Sequence, residues 1–157
     1  MADWNAPERS VRVWFRLIRL EARMQAAVGE RLRLIGVSIP QCDVLTTLSE
    51  KEGVSQQELA QRLYVTKGNI SGLLDRLEAA GFVERRPSAS DRRQHSIYLT
   101  DMGRATAERA IAVQMKWIAS TLGRMTEAGL EALETQLLAL RDIVREQETS
   151  RAKPAGG

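Results

Sequence analysis

Residues 55–81 decide the fold, and they read SQQELAQRLYVTKGNISGLLDRLEAAG. Ser55 followed by Glu58 is a capping box, which predicts the start of a short helix. Thr66 is a second cap, and the helix that it opens stops at Gly81. The apolar residues of that second helix fall on one stripe, and they are Ile70, Leu73, Leu74 and Leu77. Two short helices joined by a tight turn predict a helix-turn-helix.

The hydrophobic period changes from about 3.6 residues to about 2 after Gly81. Residues 82–86 predict a short strand, 87–90 a turn and 93–99 a returning strand. Three residues of the second strand are expected to share a face, namely His95, Ile97 and Leu99. A basic two-stranded hairpin that directly follows a helix-turn-helix predicts a winged helix-turn-helix.

Long amphipathic helices are predicted on both sides of this segment, and Ser38 and Thr126 are each expected to mark the start of the helix that follows it. The first, residues 8–35, has two apolar rows, which is more than one small core needs, so we expect a second copy of the chain to cover one row. A central helix of a monomeric bundle is the alternative. The expected fold is mainly α with a small β-hairpin wing. Its segments, which form one intertwined domain, are an N-terminal dimerisation helix (1–36), the winged helix-turn-helix (37–100), C-terminal dimerisation helices (101–148) and a disordered tail (149–157).

Composition excludes several classes of function. One cysteine and one histidine among 157 residues are too few for a disulfide framework or a cysteine- or histidine-rich metal site. The sequence has no glycine-rich phosphate loop and no nucleophile motif, so we expect no enzyme, no catalytic residue, no metal and no cofactor. Arginines interrupt every apolar run and the N-terminus is polar, which predicts a cytoplasmic protein without a membrane span.

The outer face of the helix after Thr66 is expected to enter the DNA major groove. Gly68 and Gly72 each cost about 1 kcal/mol relative to alanine in a helix interior, which favours a close approach of the backbone to DNA. Glycines that are merely tolerated are the alternative. The complete set of predicted DNA-binding residues is Ser55, Thr66, Lys67, Gly68, Asn69, Ser71, Gly72, Arg76, Asp91, Arg92 and Arg93.

Residue chemistry suggests a role for each position of this helix. Thr66 and Lys67 lie at the helix N-terminus, where phosphates are favoured. Asn69 and Ser71 carry donors and acceptors that can read base edges. Arg76 suits either guanine or phosphate, and an ion pair on the helix surface, for instance with Asp75, is the equal alternative.

The predicted hairpin is rich in arginine. Residues 83–93 hold four arginines and two acidic residues, and such a tip fits insertion into a narrow minor groove. We expect Arg93 to probe the groove and Asp91 to orient it. A charged hairpin that is only solvated is the alternative.

These motifs resemble the MarR family of bacterial transcription regulators. The resemblance covers residues 38–103, and it rests on residues 56–60, 69–78, 81–85, 91–93 and 99–103. It implies a homodimer formed by the first helix with the last two. Such a dimer binds a pseudopalindromic operator, usually as a repressor that a small ligand or an oxidant releases.

The resemblance also implies an effector cleft between the dimerisation helices and the winged domain. Candidate ligand-binding residues there are Trp14, Arg16, Cys42 and Asp43, and the implied effectors are aromatic acids, phenolics or their thioesters. A place in the dimer core is the alternative for Trp14, and a first-turn carboxylate favoured by the helix dipole is the alternative for Asp43. Cys42 near a helix N-terminus could have a lowered pKa and sense oxidants, or it could be a small buried apolar residue.

A winged helix used for protein contact, without DNA readout, is a further alternative. Binding to duplex DNA weakens steeply with salt when several phosphates are neutralised. A flat salt profile would therefore favour the protein-contact module.

Overall fold

The computed structural model describes residues 8–87 and 95–152. In chain order the elements are α1 (Glu8–Arg33), α2 (Ile39–Glu50), β1 (Val54–Ser55), α3 (Gln56–Arg62), α4 (Lys67–Ala79), β2 (Val83–Pro87), β3 (His95–Leu99), α5 (Asp101–Ser120), a 3-10 turn (Leu122–Arg124) and α6 (Glu127–Ala152). The protein is mostly helical with one small antiparallel sheet, which confirms the expected fold class. The described residues form two compact units, which are divided between Met115 and Lys116.

Local signals set the helix boundaries where the sequence predicted them. Ser38 caps α2 and forms a full capping box with Gln41. The Thr66 hydroxyl accepts a hydrogen bond from the Asn69 backbone N–H at 3.3 Å and so caps α4. Gly81 follows the end of α4 with a φ of +75°, a left-handed conformation that glycine adopts without steric cost.

Only half of the expected capping box at Ser55 forms. The Ser55 hydroxyl accepts from the Glu58 N–H at 3.1 Å. The Glu58 carboxylate, however, pairs with Arg62 at 2.9 Å and with Lys51 at 3.4 Å. The prediction of a reciprocal box was wrong because two cations compete for the same carboxylate.

The sheet has three strands in the order β1-β3-β2, where the sequence predicted only a hairpin. β1 has two residues, and Val54 lies opposite Ile97. So short a strand shows no alternating pattern, which explains why it was missed. Ile97 and Leu99 are buried as expected, whereas His95 is exposed at the end of β3. The described part of the hairpin ends at Pro87 and resumes at His95, so most of the predicted turn and the start of the returning strand lie outside the described residues.

The core of the first unit lies under α4. The four apolar residues of its predicted stripe are all buried, and each stabilises the fold by about 1.5–3 kcal/mol relative to an exposed side chain. They pack with buried residues of α2, β3 and the first half of α5, which include Leu45, Leu48, Ile97, Ala107 and Ala110. This core fixes which face of α4 remains outside.

The second unit contains the end of α5, the 3-10 turn and α6. Thr126 accepts a hydrogen bond from the Gly129 N–H at 3.2 Å and caps α6 as predicted. α6 continues to Ala152, so residues 149–152 are helical and not part of a disordered tail. The sequence reaches no helix-breaking residue before Pro154, and residues 153–157 lie outside the described range. None of the helices in the described ranges combines the length and apolarity needed to cross a membrane.

Candidate nucleic-acid interface

The outer face of α4 brings together most of the predicted DNA-binding residues. Thr66, Lys67, Gly68, Asn69 and Arg76 are exposed, and Ser71 and Gly72 are half-buried. The opposite stripe of the helix is buried in the core. The helix therefore presents a polar face, which contains an amide, a hydroxyl and two cations.

Packing against residues 8–87 and 95–152 requires neither glycine of this face. A Cβ added at Gly68 would meet nothing within 4 Å. A Cβ added at Gly72 would have one neighbour, the Arg76 Nη1 atom at 3.7 Å, which is ordinary van der Waals contact. Gly72 lies in the interior of α4 and costs about 1 kcal/mol relative to alanine, whereas Gly68 is the second residue of the helix, where the cost is smaller. A close approach by a partner outside the chain is therefore the physical reason that fits both positions.

Arg76 does not form the surface ion pair that was its alternative role. Within the described part of the chain it makes no ion pair, and its guanidinium lies along the helix near Gly72. The two nearest acidic residues of α4, Asp75 and Glu78, pair instead with Arg85 of β2. The Arg76 guanidinium thus keeps its donors available on the outer face.

Arg85 of β2 has a role that the sequence pattern did not predict. Its Nη2 atom lies 2.6 Å from Asp75 Oδ1, its Nη1 atom donates to Glu78, and its backbone N–H donates to Glu78 Oε1 at 3.2 Å. Burial by itself lowers the pKa of Arg85, but the hydrogen bonds to Asp75 and Glu78 outweigh it and raise the pKa overall. In this Arg85 cluster (Asp75, Glu78, Arg85) one guanidinium pairs with two carboxylates beside the outer face and joins α4 to the wing strand β2.

The sequence indicates the α4 residues of the Arg85 cluster but not the arginine of β2 that pairs with them. Asp75 and Glu78 are three residues apart and must share a helix face. Nothing in the strand pattern shows which of two adjacent arginines meets them. The structure assigns that contact to Arg85, while Arg86 pairs with Glu84 and stacks on the Tyr98 ring at 4.5 Å from its centroid.

Of the remaining predicted DNA-binding residues, the structure describes only Ser55. Ser55 is half-buried, and its hydroxyl serves as the cap of α3. Asp91, Arg92 and Arg93 lie outside the described residues, so their assignment to DNA stays a prediction.

Comparison with known proteins shows the family of this chain. A family model described as the MarR family matches residues 35–94. The HTH-type transcriptional regulator PrsX of Escherichia coli is 35% identical over 132 residues, which cover 81% of this chain and 80% of PrsX. The chain belongs to the MarR family.

Other proteins that are similar to this MarR-family chain are also transcriptional regulators or have the same fold. The HTH-type transcriptional regulator TtmR of Methylorubrum extorquens is 38% identical over 122 residues, and the match spans 76% of this chain but only 60% of TtmR. A mutant of E. coli MarR complexed with operator DNA has a TM-score of 0.75 at 26% identity and covers 83% of this chain and 95% of its own. CouR from Rhodococcus jostii, bound to p-coumaroyl-CoA, has a TM-score of 0.74 at 26% identity and covers 86% and 95%. The protein is thus a DNA-binding transcriptional regulator with a winged helix-turn-helix.

The four candidate effector residues of this MarR-family chain lie on α1 and α2. Trp14, Arg16 and Asp43 are exposed, and Cys42 is fully buried. Two surface cavities formed by described residues, about 580 and 510 Å³ in volume, are lined by other residues. The effector assignment therefore stays a prediction. No group of histidine, cysteine and acidic side chains within residues 8–87 and 95–152 could hold a metal ion.

Cys42 does not have the activated thiol that its place near a helix N-terminus suggested. Burial, with a smaller contribution from the Asp43 carboxylate, raises its pKa to about 11. Of the two alternatives for Cys42, the small buried apolar residue therefore fits the structure and the activated thiol does not, because desolvation disfavours the thiolate. Asp43 is the fifth residue of α2 and not in its first turn, and partial burial raises its pKa.

Cys42 is expected to react slowly with 5,5′-dithiobis(2-nitrobenzoic acid) in the folded protein. A pKa raised from 9.0 to about 11 lowers the thiolate fraction at neutral pH about a hundredfold, and burial reduces access further. We expect the folded protein to react at least about a hundredfold more slowly than the urea-unfolded protein. A Gln57→Cys variant in a Cys42→Ala background, with an exposed thiol, is the control. Equal rates for Cys42 and that control would contradict the assignment.

Proposed function

We propose that this MarR-family regulator is a cytoplasmic homodimer that binds a pseudopalindromic operator as a repressor. The outer face of α4 enters the major groove, and the hairpin, with Arg92 and Arg93 at its tip and Asp91 as orienter, enters the minor groove. A small aromatic or phenolic ligand releases the protein from DNA. The protein acts by binding and not by catalysis, and it needs no cofactor.

One observation carries the DNA-binding proposal. The outer face of α4 is polar, holds Lys67 and Arg76 as cations, and keeps two glycines that the fold does not need. An α-helix with such a face fits the major groove, where base edges are read by amides and guanidinium groups. The E. coli MarR mutant, which has a similar fold, was solved with operator DNA, and this supports DNA as the partner.

The operator assignment is tested by comparing Lys67→Ala with Asn69→Ala. Lys67 is expected to contact phosphate, so its loss lowers affinity about tenfold on every duplex and reduces the salt slope by about one. Asn69 is expected to read a base edge, so its loss costs about 1–3 kcal/mol on the preferred duplex and less on single-base variants. Fluorescence anisotropy, with a duplex selected by the wild-type protein from a random library, measures both.

The control for this experiment is Glu131→Gln, an exposed change on α6. Identical losses for the Lys67 and Asn69 variants on all duplexes would remove the division into phosphate and base contacts. A wild-type affinity that does not change with salt would favour the alternative function of a protein-contact module.

Exposed apolar residues support the homodimer. On α1 they are Val11, Val13, Trp14, Phe15, Ile18 and Leu20, and on α6 they include Leu133, Leu137, Leu138, Leu140, Ile143 and Val144. Monomeric soluble proteins rarely leave contiguous apolar surface of this extent open to water. A second copy of the chain is the partner that the family resemblance implies for these helices.

The Ile18→Glu variant is expected to dissociate the dimer. Ile18 is 44% exposed in the single chain, and a charge buried without a partner costs several kcal/mol in an apolar interface. Light scattering at about 10 µM, well above the Kd of an obligate dimer, should give twice 17.5 kDa for the wild type and 17.5 kDa for the variant. Gln25→Glu, an exposed polar position of α1, is the control. A monomeric wild-type protein would overturn the proposed assembly.

The effector proposal rests on chemistry and on a relative. CouR, which is 26% identical, was solved with p-coumaroyl-CoA, an aromatic thioester. Trp14, Arg16 and Asp43 offer a ring, a cation and a carboxylate with exposed surface, and Cys42 offers only a buried apolar wall. A true effector must bind the free protein more tightly than the DNA-bound protein, because only differential affinity shifts the equilibrium.

A further inference from the structure

Tyr64 occupies an unusual position in the turn between α3 and α4. Its φ is +53°, and it is the one residue other than glycine with a positive φ in the described part of the chain. Its side chain is 88% exposed. The left-handed conformation costs a residue with a Cβ some folding free energy, and an exposed ring returns little of it through burial. The fold therefore gives no reason for a tyrosine here.

The side chain lines a groove of about 510 Å³ on the surface. This Tyr64 groove is lined by Gln57, Ala60, Gln61, Tyr64, Val65 and Lys67. Among these described lining residues there is one cation and no carboxylate, while two amides and a phenol supply hydrogen-bond donors. This chemistry suits a polyanion and not a basic partner.

The Tyr64 groove is continuous with the proposed DNA interface. Lys67 is the first residue of α4, so it belongs both to the groove and to the outer face that is proposed to meet DNA. A DNA strand whose phosphate lies at Lys67 passes the mouth of the groove. Tyrosine is among the side chains that donate to phosphate oxygens and sugars.

We propose that the Tyr64 hydroxyl donates a hydrogen bond to the DNA sugar–phosphate backbone, which covers the Tyr64 groove. The proposal rests on the proposed function and adds a contact outside α4 and the wing. The contact is neutral and independent of sequence. It therefore fixes the register of the protein on DNA without reading a base and without releasing a counterion.

Two variants test the contact. Tyr64→Gly is expected to melt at or above the wild-type temperature, because glycine adopts a positive φ freely. It is nevertheless expected to bind DNA about two- to tenfold more weakly, which is the range for the loss of one hydrogen bond. Tyr64→Phe keeps the ring and should lose affinity by a similar factor. Tyr98→Phe, which removes a phenol hydroxyl away from the groove, is the matched control and should bind as the wild type does.

Affinities are measured by anisotropy on two duplexes, one selected from a random library and one of unrelated sequence, over a range of salt concentrations. The proposal predicts equal losses on both duplexes with an unchanged salt slope, in contrast to Lys67→Ala, which lowers the slope. Tyr64→Phe decides the result if Tyr64→Gly lowers the melting temperature.

Three outcomes would overturn the proposal. Wild-type affinity of the Tyr64 variants, together with weak binding by Lys67→Ala, rejects the Tyr64 contact and leaves the proposed function intact. A loss confined to the selected duplex assigns Tyr64 to base readout instead. Salt-independent binding by the wild-type protein rejects both the contact and the proposed function.

Discussion

The Gly103→Ala variant is expected to be less stable than the wild-type protein by about 3 kcal/mol. Gly103 is buried in the first turn of α5. A Cβ at this position would overlap the carbonyl oxygen of Phe82 and lie 2.8 Å from its carbonyl carbon. The obstacle is backbone, so no change of rotamer can relieve the overlap. The chain must shift where the wing meets α5.

The surrounding hydrogen bonds explain why such a shift is costly. The Thr100 hydroxyl donates to the Gly81 carbonyl at 2.6 Å and accepts from the Gly103 N–H at 2.9 Å. The Thr100 N–H donates to the Phe82 carbonyl at 3.1 Å. The end of α4, the start of β2 and the start of α5 therefore share one small hydrogen-bonded junction. Displacing Phe82 strains every bond of it.

Urea unfolding followed by circular dichroism measures this prediction. Gly68→Ala is the matched control, because a Cβ there meets nothing within 4 Å and alanine is a better helix former than glycine. The same chemical change should thus have opposite signs at the two positions. A Gly103→Ala protein within about 0.5 kcal/mol of the wild type, the usual scatter of neutral surface changes, would refute the junction.

Removal of the Arg85 guanidinium is expected to lower DNA affinity by about ten- to a hundredfold. In Arg85→Ala, Asp75 and Glu78 lose the cation that compensates both of them. Two free carboxylates then lie beside the phosphate backbone, and like charges at an interface cost several kcal/mol. The wing strand also loses its polar attachment to α4. Stability should change less, since ion pairs at the surface contribute about 0–1 kcal/mol.

A rescue experiment separates charge from geometry. Adding Asp75→Asn and Glu78→Gln to Arg85→Ala removes the repulsion, so most of the affinity should return if charge is the cause. Arg85→Lys keeps the charge but cannot donate to two carboxylates in a fork. Arg62→Ala, which breaks an ion pair with Glu58 on α3, is the control. Wild-type affinity for Arg85→Ala would show that the cluster has no part in binding.

The sequence predicted those structural features that depend on residues close together in the chain. Thr66 and Thr126 cap the helices that they were expected to cap, because a cap is a contact across three residues. The stripe of α4 was equally readable from its period. Both features depend on residues three or four positions apart, so they can be predicted from the sequence alone.

Features that depend on distant residues were missed or misassigned. β1 exists only because β3 pairs with it. The Glu58 carboxylate pairs with Arg62 and Lys51 and does not complete the capping box. The sequence left two alternatives for Cys42, and burial by residues distant in the sequence decides between them. The candidate DNA-binding residues of α4 lie together as expected, but the Arg85 cluster beside them joins residues ten apart on a helix and a strand.

The open space at Gly68 and Gly72 has an evolutionary consequence. Side chains can be added to the outer face of α4 without disturbing the core, because the residues that hold the helix in place all lie on its buried stripe. Under the proposed DNA readout by this face, selection for a stable fold and selection for a particular target sequence act on different residues of the same helix. Substitutions on that face could then change the target sequence without loss of the folded core.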